Sequence, residues 1–301
     1  MSGDVAFLNA HALERRAVAR AFHRASHSYE SAARIQTTVR EELLSRLDGV
    51  NLAPQSVLDL GAGTGIATAR LKQRYRKAQV VAADIAPGML HEVRRHSRFW
   101  RPLRRVAADA LRLPFKAQSF DLVFSSLMFQ WCDVPDLAFA EVQRVLKPGG
   151  LLLFSSFGPE TLRELRQSWA QIDEGVHVNQ FIDMLDLGGA LQRSGFSEPV
   201  LDVDRHVLRY ADAPALMREL KAIGAHNVNA GRQRTLTGRH RFGRMVAAYE
   251  TLRTPTGLPA TYEVVYAAAW GAGASAARAS IAPETAMSLD SFTAALRRPR
   301  P

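Results

Sequence analysis

Three glycines, Gly61, Gly63 and Gly65, alternate with other residues in VLDLGAGTGIATARL (57–71), and Asp59 stands two positions before the first of them. Glycine lets a backbone turn tightly and approach a ligand closely, so a turn of this kind is suited to a nucleotide. The dinucleotide spacing is G-x-G-x-x-G, with pyrophosphate at the start of the following helix. That spacing needs its third glycine at position 66, where the chain has Ile66. An acid beside the turn would also sit badly against a pyrophosphate. The arrangement D-x-G-x-G-x-G suits instead a nucleoside that carries positive charge. Asp84 ends the strand-like run QVVAADI nineteen residues after Gly65, and Asp109 ends LRRVAAD. A carboxylate at the end of a second strand can accept both hydroxyls of a ribose.

These residues need a sheet to bring them together, and the chain reads as one. SVLDL (56–60), QVVAADI (79–85), LRRVAAD (103–109), FDLVFSS (120–126) and LLLFSSF (151–157) are short apolar runs. Helical spacing separates several of them, at 66–75, from Ala86 and at 134–146, and KPGG (147–150) reads as a turn. Strands alternating with helices predict a parallel sheet covered on both faces. Residues 11–47 read as helix without internal Pro or Gly. After Phe157 come two helices, GPETLRELRQSWAQI, opened by Pro159, and FIDMLDLGGALQRSG. A strand at 198–210, a helix at 213–224 stopped by Gly224, and a last strand, TYEVVYAAAWG (261–271), complete the reading.

The chain has 301 residues, 47% of them hydrophobic, enough for one sizeable core with an appended lobe. No apolar run approaches bilayer length, and MSGDVAFLNA does not read as an export signal. One cysteine, Cys132, cannot form an internal disulfide and offers no zinc-like spacing, so the expectation is a cytoplasmic protein without metal. Asp133 beside Cys132 would oppose a thiolate, which makes a nucleophile there unexpected. The net charge of +10 favours acidic partners without selecting one. Neither basic stretch, 91–105 or 231–244, has the interleaved aromatics of a single-strand nucleic-acid platform, so neither nucleic acid nor membrane is expected as a partner.

The motif from Asp59 to Gly65, with Asp84, Asp109, DLVFSSLMFQW after the fourth strand and LKPGG before the fifth, resembles the class I methyltransferases. The resemblance implies S-adenosylmethionine, whose ammonium and sulfonium suit the acid beside the turn. It also implies a Rossmann-like α/β fold: a seven-stranded, mostly parallel sheet with an N-terminal helical lid and a helical insertion after strand 5. VARAFHRASHSYESAARIQTTV (18–39), FGPETLRELRQSW (157–169), HVNQFIDMLDLGGALQRSGF (177–196), LKAIGAHNVNAGR (220–232) and TYEVVYAAAWG together resemble the malonyl-acyl-carrier-protein O-methyltransferases of biotin synthesis, over about residues 15–271. The implied organisation is a lid at 1–50, a cofactor-binding core at 51–157, a substrate-side insertion with the last strands at 158–271, and a disordered tail at 272–301. The implied cofactor contacts are Asp59, Gly61, Gly63, Gly65, Asp84, Ile85, Met89, Asp109, Ala110 and Ser125, with Tyr29 and Gln36 placed over the cofactor.

The implied acceptor is a malonyl thioester on an acidic acyl carrier protein. Its carboxylate is ionised at neutral pH, so no general base is needed, and none is evident. An arginine fork would suit that carboxylate. The stretch GRQRTLTGRHRFGR (231–244) reads as a basic loop and supplies the candidates Arg232 and Arg239; His177 and His226 are further candidates. Trp131 and Phe157 are candidate walls. The basic stretch HEVRRHSRFWRPLRR (91–105) is a candidate docking surface for the carrier. Two other readings stay open on residues alone: a methyltransferase of another small acceptor, and a non-catalytic cofactor-binding subunit.

Overall fold

The computed structural model describes residues 13–97, 102–225, 227–229 and 238–273. Its centre is a seven-stranded sheet of β1 (Ser56–Leu60), β2 (Gln79–Asp84), β3 (Arg104–Ala107), β4 (Phe120–Ser126), β5 (Leu146–Phe157), β6 (Ser197–Tyr210) and β7 (Leu258–Trp270), in the order β3-β2-β1-β4-β5-β7-β6. The pairs among β1 to β5 are parallel, and β7 runs antiparallel between β5 and β6. The expected mostly parallel seven-stranded sheet is what the chain forms.

Alternation along each strand sends neighbouring side chains to opposite faces. Val57, Leu122, Phe124, Leu151 and Leu153 enter one core with α3 (Arg34–Ser45), α4 (Ile66–Arg74), α7 (Arg163–Ala170) and α10 (Arg239–Glu250). Leu58, Val123, Leu152 and Phe154 enter the other with α6 (Pro135–Val145) and α8 (Met184–Arg193). Both faces being covered explains the near-continuous apolar runs of the sequence. Each fully buried Leu or Phe contributes about 1.5–3 kcal/mol.

Several elements depart from the sequence expectation. The N-terminal helix is broken into α1 (Arg15–Ala25), α2 (Tyr29–Ala32) and α3. Ser28 Oγ, at the break between α1 and α2, donates to the Ala222 carbonyl at 2.7 Å, across to the part of the chain between β6 and β7. Pro159 does not open a helix. Residues 158–162 form a turn in which the Glu263 carboxylate accepts the Glu160 N–H at 2.9 Å, and α7 starts only after Leu162, at φ +55°. The stretch 239–250, read as basic loop at its start, is helix α10, which buries Met245 and Tyr249. The helices beyond β5 come from two connections, β5 to β6 and β6 to β7, the second containing α9 (Ala213–Ala222) and α10. The expected tail lies outside the described residues from position 274 onward.

Among the described residues no helix is long and apolar enough to cross a membrane, and no group of three or more His, Cys, Asp or Glu could hold a metal ion.

Candidate active site

Parallel strands put their carboxyl ends on one edge of a sheet, which is where open α/β sheets bind ligands. Here Gly61, Asp84, Asp109 and Ser126 all come from that edge, and a cleft forms between them. Asp84, Ile85, α5 (Pro87–Val93) through Met89, Asp109, Ala110 and Ser126 line it with Gly61 and Gly63. Helix α1 covers it, with Arg15, Val18 and Phe22 facing in. Three contacts fasten α1 down. Arg15 pairs with Asp109 at 2.8 Å, Leu13 N donates to Asp133 at 2.7 Å, and Gly88 N donates to His23 Nδ1 at 3.0 Å.

Gly61 has φ +73°, and a Cβ there would overlap the Met128 side chain. At Gly63 a Cβ would meet nothing within 4 Å, since that position faces the open cleft. Asp84 is 9% exposed and accepts Gly63 N at 2.9 Å and Ala86 N at 2.8 Å, one on each oxygen. Burial pushes its carboxyl up, against the lowering effect of those bonds. Each oxygen keeps a second lone pair, so both hydroxyls of a ribose can still be accepted.

A smaller cavity continues the cleft and is lined by Asp59, Gly61, Gly63, Thr64, Tyr29 and Gln36 among others. Its lining also includes Arg40, which suits a carboxylate, beside two acceptors that suit a cation. Gln36 Oε1 is buried with no hydrogen-bond partner, and the Asp59 carboxylate is buried with only Thr68 Oγ1, at 2.5 Å, donating to it from a side chain. Two acceptors facing one small space fit an ammonium. The residues present therefore fit S-adenosylmethionine, with its ribose at Asp84 and its amino end at Asp59 and Gln36.

Burial pushes the Asp59 carboxyl up to about 7, despite the Thr68 bond. An ammonium beside it favours the ionised form, so binding below pH 7 releases a proton. The dissociation constant for the cofactor is therefore expected to rise about tenfold per pH unit below 7 and to level off above it. Calorimetry at a series of pH values measures this. In Asp59→Asn the profile flattens and binding is weaker throughout; a flat profile in the wild type would contradict the assignment.

The second large cavity, of about 390 Å³, opens on the other side of Tyr29. Phe22, Tyr29, Leu127 and Trp131 line both this cavity and the cofactor cleft, so the two meet there. Phe157, Leu165, Phe181 and Tyr262 give it apolar walls. Its polar side chains include His177, Asn179, Asn227 and Lys221. His177 stacks on Trp169, with centroids 3.8 Å apart and planes at 8°, and its Nε2 lies 2.7 Å from Asp173. Arg241 from α10 holds the other oxygen of Asp173. Burial works to raise the Asp173 carboxyl, but the bonds from Arg241 and His177 outweigh it and hold it at about 2. Asn179 Oδ1 accepts from Asn229 Nδ2 at 2.8 Å, and Asn229 Nδ2 also reaches Asn227 Oδ1 at 2.8 Å. Asn179, with its oxygen so engaged, is part of the cavity lining.

Residues 58–154 match a family described as a methyltransferase domain. A malonyl-[acyl-carrier protein] O-methyltransferase of Methylovorus sp. (strain MP688) is 51% identical over 269 residues, which cover 87% of this chain and 90% of that protein. One of Laribacter hongkongensis (strain HLHK9) is 50% identical over 257 residues, 83% of this chain and 86% of that protein. The chain belongs to the malonyl-[acyl-carrier protein] O-methyltransferase family. In fold it is similar to the crystal structure of a putative methyltransferase from Bacillus halodurans C-125, with TM-score 0.56, 15% identity, and coverage of 78% of this chain and 99% of that one.

In this member of the malonyl-[acyl-carrier protein] O-methyltransferase family, most of the expected contacts do line the cleft, with two exceptions. Ser125 is fully buried and donates to the Leu60 carbonyl at 2.7 Å; its neighbour Ser126 lines the cleft instead. Gly65, at φ +90°, faces Val93, whose Cγ2 would lie 2.8 Å from an added Cβ, so it serves helix packing. Cys132 lines the cleft as a neutral thiol, pushed up to about 12 by burial and by Asp109 and Asp133. His177 lines the acceptor cavity, as do Trp131 and Phe157. Arg239 does not: it is exposed at the start of α10. Arg232 and His226 lie outside the described residues. Sequence reasoning missed Asp173, Asn179, Asn227 and Lys221, and passed over Arg241 within the arginine-rich stretch. None of them carries a local motif.

Proposed function

We propose that this protein transfers the methyl group of S-adenosylmethionine to the free carboxylate of a malonyl thioester on acyl carrier protein, an early step of biotin synthesis. The observation that carries this is the meeting of the two cavities at Tyr29, with amide and imidazole groups in the cavity lining and, among the described residues, no carboxylate or imidazole lining both cavities. When bound, S-adenosylmethionine supplies an electrophilic methyl group on a sulfonium. The protein's part is positioning, since the acceptor is already an anion. Asn179 holds the carboxylate, Asn227 and Asn229 orient Asn179, and Asp173 with Arg241 fixes His177, stacked on Trp169, in the cavity wall. Burial pushes the Tyr29 hydroxyl far above its ordinary range, so it remains a neutral donor at the junction. Phe22, Leu127, Trp131 and Phe157 exclude water. Opposite charges are consumed in the reaction, and a weakly polar site favours that loss over an aqueous one.

Asp173→Ala is expected to raise KM for the malonyl acceptor by about tenfold while cofactor affinity holds, because it frees His177 and leaves Arg241 without this carboxylate. Steady-state kinetics with calorimetry separates the two. The depressed Asp173 carboxyl contributes stability above pH about 4 that is lost as pH falls toward 2, so the contact is intact at assay pH. The function itself is tested by incubating the protein with cofactor and malonyl-carrier and weighing the carrier. A gain of one methyl group is expected with malonyl-carrier and none with acetyl-carrier, which lacks the carboxylate. Gain with a different small acceptor only would overturn the reading.

A further inference from the structure

Helix α1 has a face that neither cavity uses. Val18, Ala21 and Ala25 are buried beneath it. Arg16, Arg20 and Arg24 are exposed on its outer side at i, i+4 and i+8, which stacks them in one row with about 6 Å between steps. The helix contains no acid, and none of these three arginines has an ion-pair partner among the described residues. Other exposed arginines are answered by an acid in Arg70–Glu41, Arg74–Asp48 and Arg193–Asp136. Like charges four residues apart repel, and a cation in the first turn opposes the helix dipole. The row therefore costs the helix stability locally, which is a mark of selection for something else.

The row leads to the mouth of the acceptor cavity. The C-terminal end of α9 abuts α1, with Ser28 bonded to Ala222 and an added Cβ at Gly224 only 3.0 Å from the Ala25 side chain. Lys221, at that end of α9, is the one exposed residue of the cavity lining among the described residues. An arm threading past Lys221 leaves its carrier over α1. The basic stretch 91–105 begins on α5, which packs against α1 through the Gly88–His23 bond and the His27–Glu92 contact. It runs on to β3, at the sheet edge opposite β6. Its Arg94, Arg95 and Arg104 are therefore the neighbouring basic surface against which the α1 row is compared.

The geometry points to the outer face of α1, with Arg16, Arg20 and Arg24 and with Lys221 at its end, as the docking surface for the acidic face of the acyl carrier protein. This rests on the proposal above that the acceptor arrives on such a carrier. Charge complementarity of this kind sets encounter rate and register. Because the row belongs to the helix that closes the cofactor cleft, the carrier docks on a closed lid.

The test compares wild type, the triple variant Arg16→Gln/Arg20→Gln/Arg24→Gln, and a control triple Arg94→Gln/Arg95→Gln/Arg104→Gln. Each is assayed with malonyl-carrier and with malonyl-pantetheine, which has no carrier to dock. The α1 variant is expected to lose about tenfold or more in kcat/KM for malonyl-carrier at low salt, through KM, and to lose most of the salt dependence. Its rate with malonyl-pantetheine is expected to stay within about twofold of wild type, which also shows that it folds. Unchanged kinetics with carrier, equal losses on both substrates, or a loss confined to the control triple would each overturn the docking surface. Failure of the wild type on malonyl-carrier would instead overturn the proposed acceptor.

Discussion

Asp84→Ala is expected to weaken binding of S-adenosylmethionine about 10- to 150-fold. The carboxylate is buried at the end of β2 and lines the cleft, where the proposed binding mode gives it both ribose hydroxyls. Hydrogen bonds to a charged group contribute about 1.5–3 kcal/mol, which converts to that range. The alanine also removes the acceptor for the Gly63 and Ala86 N–H groups. Part of the loss therefore comes from the turn itself. Thermal melting without cofactor isolates that part, and Asp84→Asn, which keeps one acceptor oxygen, is expected to fall between wild type and alanine. Unchanged affinity in Asp84→Ala, measured by calorimetry, would mean that the ribose lies elsewhere.

Asn179→Asp is expected to raise KM for the malonyl acceptor by about a hundredfold or more, with cofactor affinity within about twofold of wild type. The substitution keeps the shape of the side chain and the oxygen that accepts from Asn229. It replaces an amide of the cavity lining with a second negative charge. Like charges brought together in a desolvated interface cost several kcal/mol, far more than loss of one neutral hydrogen bond. Asn179→Ala serves as the comparison and is expected to show a smaller rise, near the single hydrogen bond of about 1 kcal/mol. Equal effects of the two variants would place the carboxylate away from Asn179.

The cofactor half of the site was legible because local rules produce it. Gly61 and Gly63 at positive φ, an acid at the end of each of β1, β2 and β3, and a period of two along each strand are all written in short stretches. The two misplacements have local causes. Side chains alternate along a strand, and the sequence does not say which of Ser125 and Ser126 faces the cleft. Gly65 carries the same positive φ as its neighbours, but what it faces is Val93, twenty-eight residues away, rather than the ligand. The acceptor half was barely legible. Asp173 and Arg241 are 68 positions apart, and Asn179 and Asn229 are 50 apart. Pairings at that separation leave no periodic trace, and they form only because two connections of the sheet, β5 to β6 and β6 to β7, fold against each other. His177 could be suspected as a type of residue; its orientation by Asp173 could not. Helix α10 was hidden for a related reason: arginines and glycines dominate its first turns, and its buried residues, Met245 and Tyr249, come late.

The central claim is that an ionised carboxylate on a carrier-bound thioester takes the methyl group without a base. The most direct measurement uses cofactor labelled in the methyl group and follows the label on the carrier. Label is expected on malonyl-carrier alone, released as methanol by mild alkali, as a methyl ester must be. Label that resists alkali, or label placed equally on acetyl-carrier, would contradict it.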